Sequence, residues 1–259
     1  MIQGEFSVTK SHLFRPIIFF LLLLPFHILM EQAIADPTSI SVSIDHDDGG
    51  RVSNSYMQAL LAALNSNGCK AVLYGGDGFG QLLFDSRPVS IAKKDRYDYR
   101  LIARARTLEG KLTVRGAFLV HASTGIEDLI TLQGERIAFV GKRSWSGYHM
   151  PLRSLHKAGV KEQRDTFFYV GNHVGTVSML LHSDVFATVT AAPLARRWAE
   201  GNDLSIIALT DKVETGGWWI HRSLSEKQIN NCAQSLSKLE HSQLKALPAW
   251  IDGFEINQK

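Results

Sequence analysis

The sequence predicts an α/β protein built as two lobes, and three observations carry that reading. From Asp36 onward, short β-rich runs alternate with amphipathic helical stretches, a pattern that argues for layers of helix on mixed, mostly parallel sheets. Two such β–α series follow one another, with stretches near 115–123 and 205–221 reading as connecting strands between them. The roughly 224 residues after Ala35 are enough for one large domain or two lobes of about 100 residues each. The predicted division is 36–120 for the first part of lobe 1, 121–215 for lobe 2, and 216–259 for the return to lobe 1 with terminal helices.

Taken in order, "SISVSID" (Ser39 to Asp45) alternates apolar and polar residues and reads as a strand. "SNSYMQALLAALNSNG" (Ser53 to Gly68) places Met57, Leu60, Leu61 and Leu64 at helical spacing between a Ser/Asn start and a Gly stop. "KAVLYGG" is a second strand, and "DGFGQLLFDS" reads as a Gly-rich turn into a short helix. "YRLIARAR" and "TVRGAFLVHAS" are further strands. The second series opens with "GIEDL" and "QGERIAFVG". A helix from about Ser146 to Ala158 follows, then strand "TFFYVG", helix "HVGTVSMLLHS", strand "VFATVTAA", helix "PLARRWAEG" and strand "LSIIALT". "WWIHR" is the last strand expected, and Ser225 to Leu247 holds one or two helices.

Residues 1–35 read as a leader outside the fold. Lys10, His12 and Arg15 precede an apolar core from Pro16 to Met30, and Ala33-Ile34-Ala35 places small residues before a cleavage at Asp36. A membrane anchor is the competing reading, but the run carries Pro25 and His27 and falls short of the about 20 residues a spanning helix needs. No Cys follows the small residues, which argues against lipid anchoring. An exported, periplasmic chain is therefore expected.

Net charge is only +3, with both signs interspersed. No concentrated basic stripe of the kind nucleic-acid binding leaves is present; Arg100, Arg104 and Arg106 suit a solvated face. Cys69 and Cys232 are free to pair in an exported chain, or to remain buried thiols, and spacing does not decide between these. There is no CxxC, no Cys/His cluster and no HExxH, so neither a zinc site nor any other metal or cofactor is expected.

The richest local signal is "RIAFVGKRSWSGYHMP" (Arg136 to Pro151). An apolar strand ends in a basic, hydroxyl-rich turn just before a helix. In open α/β sheets ligands sit beyond the carboxyl ends of strands. A helix start presents unpaired N–H groups and the positive end of the dipole. Ser144 and Ser146 add hydroxyls, Gly147 permits close backbone approach, Tyr148 adds a phenol, and Lys142 and Arg143 raise the potential. An oxyanion cradle is one reading; Ser146 as an N-cap beside solvated loop charges is the other.

The segment "LQGERIAFVGKRSWSGYHMPLRSLHKAGV" resembles phosphate/phosphonate-type periplasmic binding proteins of ABC transporters, in their Leu-x-Gly strand, Ser-x-Ser-Gly-Tyr loop and Lys-Ala-Gly helix end. "FFYVGNHVGTVSMLLHSDVFATVTAAP" is similar to the family's next strand, Gly-x-His turn, helix and strand, and "DGFE" to its closing segment. The resemblance implies a type II periplasmic binding fold with a ligand cleft between two lobes. It implies that Ser144, Ser146 and the backbone from Trp145 to Gly147 grip an oxyanion, with Tyr148 in the motif and His173 at the next strand–helix junction.

Several positions depart from that pattern. Trp145 stands where a small residue is usual, and Phe186 where the family strand carries Asp. Glu214 is the nearest acidic replacement, and reads alternatively as an exposed loop charge. The first lobe looks trimmed between Gly80 and Tyr99. "GGDGFG" lacks dinucleotide spacing; Asp77 and Phe79 are either cleft residues or parts of a plain turn. "DHDDGG" reads as a solvated turn rather than a cation site. Of Trp218 and Trp219 one should pack inside and the other edge the cleft, with Gly216 and Gly217 as hinge residues.

The expected function is capture of a small phosphorus oxyanion (phosphate, phosphite or phosphonate) for an ABC permease, by a monomer without catalytic chemistry. The alternative is the same fold reporting ligand occupancy to a membrane sensor. An exported enzyme using Ser144 or Ser146 with His173 lacks a G-x-S-x-G elbow.

Overall fold

The computed structural model describes residues 38–45 and 52–257. The leader predicted over 1–35 and most of "DHDDGG" (His46 to Gly50) lie outside the described residues. No described helix is long and apolar enough to cross a membrane.

The chain begins with strand β1 (Ile40–Asp45), helix α1 (Asn54–Ser66) and strand β2 (Ala71–Leu73). The spacing of Met57, Leu60, Leu61 and Leu64 does bury one face of α1, and Gly68 ends the segment at φ 102°, a left-handed geometry that glycine adopts without strain. Strand β3 (Leu82–Asp85) follows, then the single-turn helix α2 (Val89–Ala92) and the long strand β4 (Tyr99–Thr107). The expected short helix at Leu82 is thus a strand. Leu82, Leu83, Phe84 and Asp85 are all buried because β3 is flanked by a neighbour on each edge and covered on both faces. Such a strand is continuously apolar, with no alternation to distinguish it from buried helix.

Strands β5 (Thr113–Val114) and β6 (Gly116–His121) come next, then β7 (Ile137–Phe139), α3 (Met150–Lys157), β8 (Phe167–Tyr169) and α4 (His173–Leu181). The series ends with β9 (Ala187–Ala191), α5 (Ala192–Gly201), β10 (Leu204–Leu209) and β11 (Val213–Glu214). The chain then returns through β12 (Gly217–His221), α6 (Glu226–Ser237) and β13 (Ile251–Ile256). Strand β13 stands where no strand was expected.

The first sheet runs β13-β4-β12-β3-β1-β2 and the second β10-β6-β9-β7-β8, while β5 and β11 pair with each other where the chain crosses between them. Parallel pairing is confined to β2–β1–β3 and β8–β7–β9; the crossing strands and β13 pair antiparallel, so both sheets are mixed. Because β6 pairs with β9 and β10, the first crossing falls before Gly116, not at the predicted 120/121 boundary. The first sheet has six strands among the described residues.

Both predicted roles for the glycine and tryptophan pairs change. Trp218 packs with Phe84 and Phe254 on one face of the first sheet, and Trp219 with Leu83 and Ala92 on the other, since successive strand residues point to opposite faces. A Cβ on Gly216 would lie 2.2 Å from the Asp85 carbonyl oxygen, and one on Gly217 2.4 Å from that of Ala103. These glycines admit close backbone approach within the sheet. The paired crossing of β5 and β11 is the link between lobes. Cys69 and Cys232 form a disulfide that ties the end of α1 to α6.

Candidate functional site

Strand β7 and the following Val140 and Gly141 are fully buried, so the chain emerges at a fixed point. The Ser144 N–H donates to the Gly141 carbonyl (2.9 Å), closing a tight turn. Ser144 then caps a wide π-helical turn, Trp145–His149, its Oγ accepting from the Gly147 N–H (3.2 Å). Pro151 has no N–H to return to the Gly147 carbonyl in α-helical register, and that carbonyl accepts from the Val140 N–H instead (3.3 Å). A Cβ at Gly147 would lie 2.3 Å from Val140 Cγ2, so the turn closes onto the strand end only with glycine there. The N–H groups of Trp145 and Ser146 open the turn, where no intrahelical acceptor exists. Because Ser144 Oγ accepts from Gly147, its hydroxyl hydrogen remains available to donate.

His173 begins α4, whose N-cap Asn172 accepts from the Gly175 N–H through Oδ1 (2.7 Å). The imidazole is buried, and burial pulls its pKa down to about 3. Its Nδ1 accepts from the Ala191 N–H (3.1 Å), which assigns the one proton of the neutral ring to Nε2. His173 therefore offers a neutral N–H donor across the pH range in which a free histidine would titrate. Among the described residues Nε2 has no hydrogen-bond partner.

These groups meet at a small cavity of about 20 Å³ between the lobes. Ser144, Trp145, Ser146 and His173 line one side; Ser86, Glu214, Thr215 and Trp250 come from the first sheet and the crossing. Trp250 is 4 % exposed and its Nε1–H is buried without a partner among the described residues. Glu214 Oε2 accepts from the Ser90 N–H (2.9 Å), and bonding to Ser90 holds the carboxyl below its usual range. The cavity holds about one water's worth of space. Beside it, sharing His173 and Pro248, opens a groove of about 520 Å³ between the start of α1 and the start of α4.

Of the residues singled out from sequence, the fold brings Ser144, Trp145, Ser146 and His173 together at this cavity. Gly147 supports the turn from beneath. Tyr148, two positions past Ser146, is carried to the other side of the turn, where its ring meets Phe139 and Tyr169 at 5.6 Å each. Asp77 and Phe79 line neither cavity. Their turn folds on itself, with the Tyr74 hydroxyl donating to the Asp77 carbonyl (2.7 Å), and Phe79 lies over the Arg96 guanidinium at 4.1 Å. Phe186 packs beside the core of the second sheet.

The two basic residues of the loop are also turned away from the cavity. Lys142 Nζ sits 5.0 Å from the centre of the Tyr169 ring. Arg143 reaches the other lobe and pairs with Asp45 at 2.7 Å. The second oxygen of Asp45 binds Arg96 (2.9 Å), which also binds the fully buried Asp85 (2.8 Å). The Asp45 carboxylate is thus committed to guanidinium groups.

Sequence reasoning missed Ser86, Trp250 and Tyr56, which lines the groove. Pro88 just after the run Leu82–Phe84 was the available sign that Ser86 follows a strand end. Nothing local marks Trp250, which is brought in by the return of the chain to the first sheet.

Two mixed sheets joined by paired crossings, with the capped turn Trp145–His149 and the capped start of α4 at the division, define a two-lobed periplasmic-type ligand-binding protein. The family model described as "ABC transporter, phosphonate, periplasmic substrate-binding protein" matches residues 81–258. The chain belongs to that family. Its fold is similar to that of a binding protein component of an ABC phosphonate transporter from Pseudomonas aeruginosa, with a TM-score of 0.61 at 13% identity over 86% of this chain and 82% of that one. It is similar in fold to PhnD1 from Prochlorococcus marinus, solved with methylphosphonate, with a TM-score of 0.61 at 14% identity over 86% of this chain and 94% of that one. A Xanthomonas citri protein solved with ATP shares the fold less closely, with a TM-score of 0.53 at 13% identity over 84% and 90% of the two chains. The curated proteins include no match to the sequence.

Proposed function

We propose that the chain, exported by cleavage before Asp36, captures a phosphonate or a related phosphorus oxyanion and delivers it to an ABC permease. The observation that carries this reading is the convergence of Ser144, Ser146 and a neutral His173 on one cavity between the lobes. The donors available there are the Ser144 and Ser146 hydroxyls, the Trp145 and Ser146 N–H groups, the His173 Nε2–H and the Trp250 Nε1–H. An anion is the ligand such a set suits, because each donor gains most from a charged acceptor. Glu214 complements a protonated oxygen on that anion.

Lobe closure follows from the placement of the donors. The ligand touches both lobes only when they approach, so its extra contacts stabilise the closed form, which the permease then recognises. Binding needs no bond-breaking step. His173 Nδ1 is occupied by the Ala191 N–H, and His173 makes no hydrogen bond to either serine among the described residues.

Calorimetric titration of the purified protein with phosphate, phosphite and methylphosphonate tests the reading. Binding of at least one is expected, weakened about 10- to 100-fold in Ser146→Ala for loss of a hydrogen bond to a charged group. Absence of binding to all three sinks it.

A further inference from the structure

The cavity and the groove beside it differ by more than an order of magnitude in size, about 20 against about 520 Å³. The smaller space holds about one water, so a ligand gripped by its donors extends into the larger, which lies in the range of about 300–1,000 Å³ usual for sites that enclose an organic ligand. We infer that the oxyanion this protein binds carries a bulky apolar substituent, seated in the groove between α1 and α4. The inference rests on the proposed function and specifies its ligand.

Continuity supports it first. His173 and Pro248 belong to the walls of both spaces, so a group bonded to phosphorus beside the His173 Nε2–H has the groove as its neighbour. The chemistry of the walls supports it next. Val52, Tyr56, Val174, Leu244 and Ala246 make the groove predominantly apolar. Tyr56, in the first turn of α1, and Val174, in the first turn of α4, both line the groove and remain 45% and 42% exposed, large apolar surfaces open to a ligand.

Charge supplies the third argument. The basic side chains of the groove are His173, His241 and Lys245, and no carboxylate lines it among the described residues. The Lys245 ammonium already lies 5.9 Å from the centre of the Tyr56 ring. Among the described residues an aminoalkyl substituent would meet a cation there and no counter-charge, whereas an aryl or branched alkyl group would meet Tyr56 and the aliphatic wall. The protein therefore selects against small and amine-bearing phosphonates by what it offers beyond the head group, not by the head-group donors themselves.

The test is a titration series with methylphosphonate, 2-aminoethylphosphonate and phenylphosphonate, run on the wild type and on Tyr56→Ala and Val174→Trp. Phenylphosphonate is expected to bind at least tenfold more tightly than either of the others. Tyr56→Ala, which removes an exposed ring, should erase most of that gain while leaving methylphosphonate within about twofold; Val174→Trp should do the same by filling the groove. Equal affinities across the series, or a preference for the amine, overturn the inference while leaving the proposed function standing. No binding by any of the three overturns the inference, and the proposed function with it when phosphate and phosphite also fail to bind. A concentration-dependent dimer abolished by Val174→Trp, with no aryl preference, would assign the groove to a second copy of the chain and also overturn it.

Discussion

Asp45 and Arg143 join the two lobes directly, Arg143 Nη2 lying 2.7 Å from Asp45 Oδ1. Asp45 ends β1 in the first sheet, and Arg143 belongs to the loop that follows β7 in the second, one residue before the cavity-lining Ser144. The pair therefore couples the position of the donor turn to the closeness of the lobes. Glu109 and Arg196 form a second such bridge at 2.6 Å, from the β4–β5 turn to α5.

Arg143→Ala should loosen the closed form without unfolding it, because the side chain is more than half exposed. An exposed pair contributes about 0–1 kcal/mol, so ligand dissociation constants should rise about two- to fivefold, and wild-type affinity should fall with added salt more than that of the variant. Titrations at low and high ionic strength read both. Identical salt dependence in the two proteins would show that the pair plays no part in closure.

His173 should make stability depend on pH. Its folded pKa of about 3 lies below the about 6.5 of a free histidine. Between those values the unfolded chain binds a proton that the folded one does not, so stability is fully present above about pH 6.5 and declines as pH falls towards 3. Glu109, lowered to about 2 chiefly by its hydrogen bond from Arg196, keeps its contribution until pH drops below its unfolded value. Urea midpoints between pH 7.5 and 5 thus read this loss, to which His149, also lowered by burial, adds in the same direction. His173→Gln should flatten the slope, and an unchanged slope would contradict the assignment.

Gly147→Ala should damage the donor turn specifically. The added Cβ meets Val140 Cγ2 at 2.3 Å and Ser144 Oγ at 2.9 Å, displacing the cap. Overpacking of this kind costs about 1–3 kcal/mol. Adding Val140→Ala should not rescue it, because the Val140 Cβ, 2.5 Å from the added atom, remains; melting temperature and ligand affinity should fall together in both proteins. Wild-type affinity and melting temperature in Gly147→Ala would show that the turn does not need glycine there.

Removing the disulfide should test how far the first lobe depends on it. Cys69 and Cys232 close a loop of 163 residues, and bridges over long loops typically contribute about 2–5 kcal/mol. The double variant Cys69→Ser with Cys232→Ser should lose stability on that scale in chemical denaturation. Ligand affinity should stay within about twofold, because neither residue lines the cavity or the groove.

How much could be read from sequence varied with how local the signal was. α1 was legible because its apolar residues recur at helical spacing and one face is buried. β3 was not, because a strand covered on both faces loses its alternation. β13 was missed for a related reason: "IDGFEI" carries a glycine, and it becomes a strand by pairing with β4 across a shift in register. At the site, Ser144, Trp145, Ser146 and His173 were visible as hydroxyl, amide and imidazole groups at strand–helix junctions. Tyr148 sat in the same motif, yet the direction of the turn sends it to Phe139.

The sequence alone determined the fold class, the family likeness of the second lobe and the donor-rich turn, since those rest on neighbouring residues and backbone capping. Only the tertiary structure decided which lobe β6 joins, that Cys69 meets Cys232, that Asp45 meets Arg143, and that Ser86, Glu214 and Trp250 complete the cavity. Each of those pairings spans a long stretch of chain, so it is set by how the sheets close on one another and leaves no periodicity or motif in the local sequence.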